Sequence, residues 1–590
     1  MKEFIDLITE ELKKAFEEAG LPSERAVVSI SNRPDLCEFQ CNGAMVLAKQ
    51  LKQPPVKIAE QAAGVLSKNS IFTEAAAAAP GFINLTISGD FISEYVNKMA
   101  KEERFGFEPE ESAGRVVIDY GGPNIAKPLH IGHLRSAIIG ESVKRICKFA
   151  GNEVTGDIHL GDWGLQMGQI IAELRLRKPE LSYFDESYAG EYPAEAPFTL
   201  SELEEIYPCA SAKCKTSSDT YSAAFYEEAK LATAQLQQGR RGYIAIWQHV
   251  RDVSVEDLKK NYEKLNVHFD LWNGESDAQK YIPDMLADLE EGGFLKESEG
   301  ASIVEVAEPD DKKEIPPCIL VKSGGGSLYA TTDLATIVSR VRDYNPTHII
   351  YVVDKRQELH FTQVFRTARK TGIVGDNVKL SFLGFGTMNG KDGKPFKTRD
   401  GGVMRLETLI DETREAVLEK IHESGKAASE EEAQLNSQII ALAALKYGDL
   451  SNQAAKDYVF DIEKFIEFEG NTGPYILYTI VRIKSILKKY GGTPSGNIAF
   501  TGDAREKKLM LALTGFGTMM RSASSELAPH RICAYIYDLA NAFNTFYHDV
   551  KILSCRDEAK RDSYLSLLVL VRKVLETCID LLGFWAPESM

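Results

Sequence analysis

A pair of histidines, His130-Ile131-Gly132-His133, stands where an apolar-periodic helix begins. It follows the strand-like run Val116-Val117-Ile118-Asp119-Tyr120 and the turn Gly121-Gly122-Pro123-Asn124. A strand feeding a helix through a Gly/Pro turn sets unpaired backbone N–H groups and the positive end of a helix dipole at the carboxyl edge of a parallel sheet, where phosphates bind. Imidazoles three residues apart share one helical face and can donate to phosphate oxygens, while Gly132 leaves room for an adenine ring against backbone. This is an ATP-site layout. The same two side chains could equally be plain helix caps, so the surrounding chain has to decide.

Strand and helix signals alternate after the histidines: the helix Ile131 to Ala150, then strand-like Glu153 to His159, His348 to Val353 and Lys379 to Phe385. Alternation of this kind predicts a doubly wound, parallel α/β sheet, Rossmann-like, as the catalytic domain. Between about residues 174 and 301 the pattern turns long, charged and helical, as an insertion between half-domains would. Before the sheet, a helix over Lys2 to Gly20, a strand at Ala26 to Ile30, Ala-rich helical stretches and a second strand at Phe82 to Ser88 predict a separate α+β module. From about Asp457 the pattern is helical throughout, with Gly473-Pro474 opening a helix to Lys489. The predicted divisions are 1–110 for the module, 111–390 for the catalytic domain, 391–456 for a glycine-rich loop and connecting helices, and 457–590 for an all-α bundle.

The chain carries net charge −17, which argues against a nucleic-acid partner until it is divided. Residues 471–590 hold 15 Lys and Arg against 11 Asp and Glu, so this segment is +4 and the remainder −21. A locally basic tail is what phosphate contact requires. Neither a signal pattern nor a bilayer-length apolar run is visible, and nine scattered cysteines read as reduced thiols, so a cytoplasmic enzyme with no membrane partner is expected. Cys37-x3-Cys41 and Cys209-x4-Cys214 lack a second ligand pair, and no structural zinc is expected.

The stretch from Asp119 to Gly168, including His159-Leu160-Gly161-Asp162-Trp163-Gly164, closely resembles the first half of the catalytic domain of class I arginyl-tRNA synthetases, bacterial in type. The resemblance runs over essentially the whole chain to the tail Pro587-Glu588-Ser589-Met590. It implies a ligase that activates L-arginine with ATP and magnesium, transfers it to the 3′ end of tRNA(Arg), and works as a monomer in protein biosynthesis. The resemblance also implies that tRNA is needed for the first step.

By the same resemblance, ATP meets Pro123, Asn124, His130, Gly132, His133 and Lys397, the last in the loop Lys394-Pro395-Phe396-Lys397-Thr398-Arg399. This loop is a degenerate form of the class pattern, so Lys127, three residues before His130, is expected to supply the missing positive charge. His130, His133, Lys127 and Lys397 are thus the expected catalytic set. Arginine is expected at Asp119, Gly122, Pro123, Asn124, His133, Tyr329, Asp333 and Gln357; carboxylates suit a planar guanidinium, and Tyr329 could pack on its face. On spacing alone, Asp333 also reads as the N-cap of a helix from Leu334 to Val341. The resemblance places the N-terminal module at the outer corner of the tRNA, with Phe82 and Asn84 as base contacts, although as a strand phenylalanine Phe82 is read first as module core. The helical bundle is expected to bind the anticodon, with Tyr547 and Met590 as contacts and Phe543 and Phe546 as packing.

Two rivals share parts of this pattern. A nucleotidylyltransferase uses a similar histidine signature but needs neither the helical tail nor the Tyr329/Asp333 pair. A tRNA-binding paralogue without activity would have lost the histidines or the lysine loop.

Overall fold

The computed structural model describes residues 1–590 apart from 110–112, 323–327, 395–403 and 426. The chain divides into two compact units, one of residues 112–466 with 582–584, the other of residues 1–111, 467–581 and 585–590.

The first unit is built on a four-stranded parallel sheet in the spatial order Lys379–Phe385, His348–Asp354, Arg115–Tyr120, Glu153–Asp157. Strands Arg115–Tyr120 and His348–Asp354 pair directly, Asp119 opposite Tyr351. The crossovers leave these two strands in opposite directions, so a crevice opens beyond their carboxyl ends, where ligands of doubly wound sheets bind. Both strands are buried and rich in Val and Ile, as a sheet covered on two faces demands. The helix Ile131–Phe149 returns from the first strand, and Ser136 ties it to the crevice: its hydroxyl accepts the Gly121 N–H at 2.8 Å and donates to the Val352 carbonyl at 2.7 Å.

The insertion contributes the helices Leu200–Cys214, Ala223–Gln237 and Arg241–Lys264 and an antiparallel sheet of Lys296–Ser298, Ala301–Val304 and Cys318–Val321. A segment from the far end of the chain completes the unit. The Gly583 carbonyl accepts from Lys446 Nζ and from Asn266 Nδ2, each at 2.9 Å, with Leu582 and Phe584 buried beside it.

In the second unit an antiparallel sheet runs Val28–Ile30, Phe39–Cys41, Phe82–Ile87, Phe72–Ala78. Its last strand corrects the expectation of helix in the Ala-rich stretch. Alanine favours helix when isolated, but Ala75 to Ala78 pair residue by residue with Leu85 to Phe82 across a tight turn, and tertiary pairing overrides propensity. Five helices, Gly473–Tyr490, Ala504–Thr514, Phe516–Ser525, Pro529–Asp549 and Glu558–Leu581, form the bundle of the same unit. The two ends of the chain interlock here. Asn97 donates to the Ile498 carbonyl at 2.6 Å and accepts the Ile498 N–H at 2.9 Å, and the buried Glu3 carboxylate accepts from Thr518 at 2.6 Å and from Arg521.

Candidate active site

His130 does not lie on the helix face. It is the N-cap of Ile131–Phe149 in extended conformation, and His133 is the third helical residue. The two side chains cap reciprocally: His130 Nδ1 accepts the Gly132 N–H at 3.0 Å, and His133 Nδ1 accepts the His130 N–H at 3.1 Å. The expectation that they share a helical face therefore fails, because the cap residue leaves the helical backbone. The rings nonetheless meet, with centroids 3.9 Å apart. Each Nδ1 is an acceptor, so in the neutral ring the proton sits on Nε2, which leaves a donor on each imidazole away from the helix. Burial and the neighbouring His130 lower His133 to about 3, and burial with the Lys127 charge lowers His130 too. Capping thus leaves one ring donor uncommitted to the helix in each side chain.

The glycine-rich loop is anchored beside them. On one side Met388–Asn389 pairs with Tyr458–Val459; on the other Met404 accepts the Ile131 N–H at 3.0 Å, Leu129 accepts the Leu406 N–H at 2.9 Å, and Arg405 bridges to His130. Buried Arg135, one helical turn beyond the cap, donates to Asp449 Oδ2 at 2.8 Å and to the Gly386 carbonyl at 2.7 Å. Lys397 lies outside the described residues. Lys127 is half-buried and holds its ammonium 4.8 Å from the centre of the Tyr207 ring.

Beyond the sheet edge the acidic side chains gather. Asp119 Oδ2 accepts from Arg340 Nη2 at 2.6 Å, and the same nitrogen donates to Asp157 at 2.8 Å, all three residues being buried. Asp119 is thus at the expected edge with one oxygen already committed. Asp333 is not an N-cap: the helix runs Tyr329–Tyr344 with Leu328 as cap, so Asp333 lies inside it and accepts from His360 Nε2 at 2.5 Å. The helix begins earlier than expected because Thr331 supplies the cap, accepting the Leu328 N–H at 3.2 Å while its hydroxyl donates to the Leu320 carbonyl. Tyr329 opens this helix 73% exposed, free to cover a ligand. Gln357 ends the turn Lys355–Gln357 after the second sheet strand and is exposed. Asn124 and Pro123 bind the loop after the next strand: Pro123 accepts the Gly161 N–H, and Ile125 donates to the Gly161 carbonyl, both at 3.1 Å. Gly122 is exposed at the same turn.

One further acidic residue belongs here that the sequence reading did not single out. Glu275 follows Gly274, and its N–H donates to the Leu160 carbonyl at 2.9 Å. Burial above all, with Asp162 and Asp333 adding to it and His159 and the Trp163 N–H pulling against them, pushes its carboxyl up to about 7. Its position is set by Asp162, which accepts the Ser276 N–H at 2.9 Å and the Ser276 hydroxyl at 2.7 Å. A β-carbon on Gly274 would stand 2.6 Å from Asp162 Oδ1, so only glycine lets the two segments approach. The signal was short, Asn273-Gly274-Glu275-Ser276 inside a segment read as insertion. Its partner segment lies more than a hundred residues away.

In the other unit, Phe82 and Asn84 occupy the same half-buried face of their strand while Ile83 and Leu85 point into the core. Phe82 as module core is thereby corrected, since strand alternation sends it outward. Asn84 Oδ1 accepts from Gln40 at 2.8 Å. Phe543 and Phe546 are fully buried, whereas Tyr547 is 40% exposed with the Arg482 guanidinium 5.1 Å from its ring centre. Met590 is half-exposed at the chain end.

Comparison with known proteins agrees with this geometry. Residues 96–462 match the family described as tRNA synthetases class I (R), catalytic domain. Residues 476–590 match the DALR anticodon binding domain, and residues 2–87 the arginyl tRNA synthetase N terminal domain. The chain is 58% identical to the arginine–tRNA ligase of Agathobacter rectalis and 55% identical to that of Alkaliphilus oremlandii, with all of each chain covered. Among solved structures, the arginyl-tRNA synthetase of Plasmodium falciparum superposes with a TM-score of 0.81 at 26% identity, covering both chains fully.

Proposed function

Because this chain belongs to the class I arginyl-tRNA synthetases and is an arginine–tRNA ligase that uses ATP, we propose that the crevice beyond strands Arg115–Tyr120 and His348–Asp354 is where arginine is activated. The observation that carries this reading is the convergence of neutral, Nε2-protonated histidines on one side with Glu275 and Asp333 on the other. Glu275 and Asp333 would take the guanidinium under the Tyr329 ring, because a planar five-donor cation is best matched by two carboxylates and an aromatic face. Asp119, held by Arg340 beside Asp157, would act beneath them, burial raising its carboxyl while the Arg340 guanidinium opposes the rise. Gly122, Pro123, Asn124 and Gln357 would frame the amino and carboxyl ends of the substrate.

His130 and His133 would donate from Nε2 to ATP phosphate oxygens, with Gly132 and Pro123 against the nucleotide. Burial disfavours charge on both rings in the unliganded protein, so they would orient the phosphates, and Lys127 and Lys397 would supply positive charge where negative charge develops. An oxygen of the arginine carboxylate attacks the α-phosphorus, the bond to the β-phosphate oxygen breaks, and pyrophosphate leaves. A terminal hydroxyl of tRNA(Arg) then attacks the arginyl carbonyl and AMP departs. Neither step needs a covalent protein intermediate; positioning and preorganised charge lower the barrier. Among the described residues no three His, Cys, Asp or Glu side chains gather to hold a metal, so magnesium would be carried by the phosphates.

For the tRNA we propose Phe82 and Asn84 as base contacts of the module, residues 1–110, and Tyr547 and Met590 as contacts of the bundle, residues 457–590. The proposed working form is a cytoplasmic monomer; no described helix is long and apolar enough to cross a membrane. ATP–pyrophosphate exchange, run with each standard amino acid and with and without tRNA, tests the reading. Among the amino acids only arginine is expected to drive exchange, and the exchange is expected to depend on added tRNA. Exchange driven by a different amino acid would overturn the pocket assignment.

A further inference from the structure

Two residues past the strand Glu153–Asp157, His159 sits in a left-handed backbone with φ +44°. This region suits glycine and asparagine better than a ring-bearing side chain, and such strain persists only where surrounding contacts hold it. Here they hold it from both sides. Ile158 donates to the Leu271 carbonyl at 3.3 Å and Leu160 to the Asn273 carbonyl at 2.7 Å, while Asp157 Oδ1 accepts the His159 N–H at 3.4 Å. The turn after the first sheet strand lies against the same backbone: a β-carbon on Gly122 would stand 2.4 Å from the His159 carbonyl oxygen. A rigid frame thus carries the imidazole to the edge of the crevice.

Both ring nitrogens of His159 are buried, and neither meets a hydrogen-bond partner among the described residues. An unpaired polar atom away from water costs free energy, so this ring is better accounted for by a ligand than by the fold. Its electrostatic neighbours say which kind. Burial raises the carboxyls of Asp119 and Glu275, and His159 is among the groups opposing that rise at each. Asp119 is already held by Arg340, which leaves Glu275 as the acidic side. A guanidinium carries donors alone and a carboxylate acceptors alone, whereas a neutral imidazole has one of each. The ring can therefore join a cationic ligand to an acidic wall. We propose that His159 is an arginine-recognition residue: one ring nitrogen accepts an N–H of the bound guanidinium and the other donates to Glu275. The assignment rests on the crevice being the arginine site, and it adds to the carboxylates an uncharged acceptor that reads the guanidinium's fixed spread of donors.

His159→Phe, His159→Asn and His159→Gly in the full-length protein test this, with arginine and ATP titrated calorimetrically and the thermal midpoint recorded. His159→Phe keeps a ring and loses both nitrogens. It should weaken arginine at least about ten-fold, the scale of a hydrogen bond to a charged group. ATP binding should be unchanged and the midpoint parental or higher, because no buried ring nitrogen is then left unpaired. Parental arginine binding in His159→Phe overturns the proposal, and so do equal losses for arginine and ATP. Should the midpoint of this variant fall, the other two decide. Asparagine and glycine both suit the left-handed backbone, but only asparagine can accept and donate, so His159→Asn should bind arginine several-fold more tightly than His159→Gly. Equal binding by these two overturns the proposal. Asp333→Asn, run alongside, separates this role from the crevice itself. If it too binds arginine as the parent does, the crevice assignment fails; if it alone weakens arginine, only the role of His159 falls.

Discussion

Lys127 rests over Tyr207, ammonium to ring centre 4.8 Å, one side chain from the catalytic turn and the other from the helix Leu200–Cys214. A lysine resting on an aromatic face holds its ammonium beside the turn that precedes His130. Lys127→Ala is therefore expected to slow arginyl-adenylate formation by about 10²-fold, the order of one lost preorganised charge contact. Tyr207→Leu removes only the resting place and should cost a few-fold, since such a contact contributes roughly 0.5–1 kcal/mol at a half-exposed site. Rapid-quench measurement of adenylate formation with tRNA present decides. If Lys127→Ala matches the parent while Lys397→Ala is inactive, the loop lysine suffices.

Asp333→Asn removes one proposed charge-assisted partner of the guanidinium and should weaken arginine by about 2–3 kcal/mol, roughly thirty- to a hundred-and-sixty-fold. ATP affinity should hardly change. Calorimetric titration of both ligands checks this, and equal losses for the two would mean that the Asp333–His360 contact is purely structural.

With Glu275 in the proposed role, arginine binding is expected to depend on pH. Its carboxyl ionises at about 7 in the unliganded protein, and a bound guanidinium needs it ionised. Protons therefore compete with arginine below pH 7, and the dissociation constant should rise by up to ten-fold for each unit of pH lost from there. Above pH 8 it should be flat. In Glu275→Gln binding should be weaker and the slope below pH 7 absent; a slope that persists in this variant removes Glu275 from the pocket.

His133 makes the opposite sort of contribution, to stability. Its folded value, about 3, lies below the unfolded value of about 6.5, so the unfolded chain binds a proton that the folded one refuses. Stability is unaffected above pH 7 and falls as the pH drops from about 6.5 toward 3. His133→Asn keeps a side-chain acceptor for the His130 N–H but cannot be charged, so its thermal midpoint should fall less steeply than the parent's over that window. Parallel curves would show that His133 protonates readily in the folded protein.

Gly583→Ala is expected to destabilise the catalytic unit from the far end of the chain. Its φ of +85° is strained for any L side chain, and a β-carbon would run into the Lys446 ammonium. A loss of about 1–3 kcal/mol is the expected scale for such a position, read as a lower midpoint for the unit that includes Trp247 and Trp272. An unshifted midpoint would show that the segment detaches freely.

Much of this protein was legible in local sequence order. The strand, turn and capped helix from Arg115 to Phe149 announce themselves because their signals lie within a few residues: alternating burial, a Gly/Pro turn and cap residues. The alternation that gave a parallel sheet, the helical character of residues 457–590, and the packing of Phe543 and Phe546 are equally local, since periods of two and 3.6 residues are set by backbone geometry. Asp333 and Tyr329 could be named, but only a resemblance weighed the carboxylate against an N-cap.

Tertiary structure alone decided the rest, because the forces involved act between segments far apart in the chain. Ala75 to Ala78 became a strand through pairing with Phe82 to Leu85, against their own propensity. Glu275 came to lie near Asp162 and Asp333 because Gly274 fits against Asp162, a contact spanning 112 residues of sequence with no periodic trace. Its raised pKa arises from burial and from two other carboxylates that no local pattern brings together. The commitment of Asp119 to Arg340, the docking of Gly583 onto Lys446, and the interlocking of Asn97 with Ile498 are of the same kind. Local order selects the elements, and desolvation, charge pairing and steric fit, which depend on distance in space, select the site.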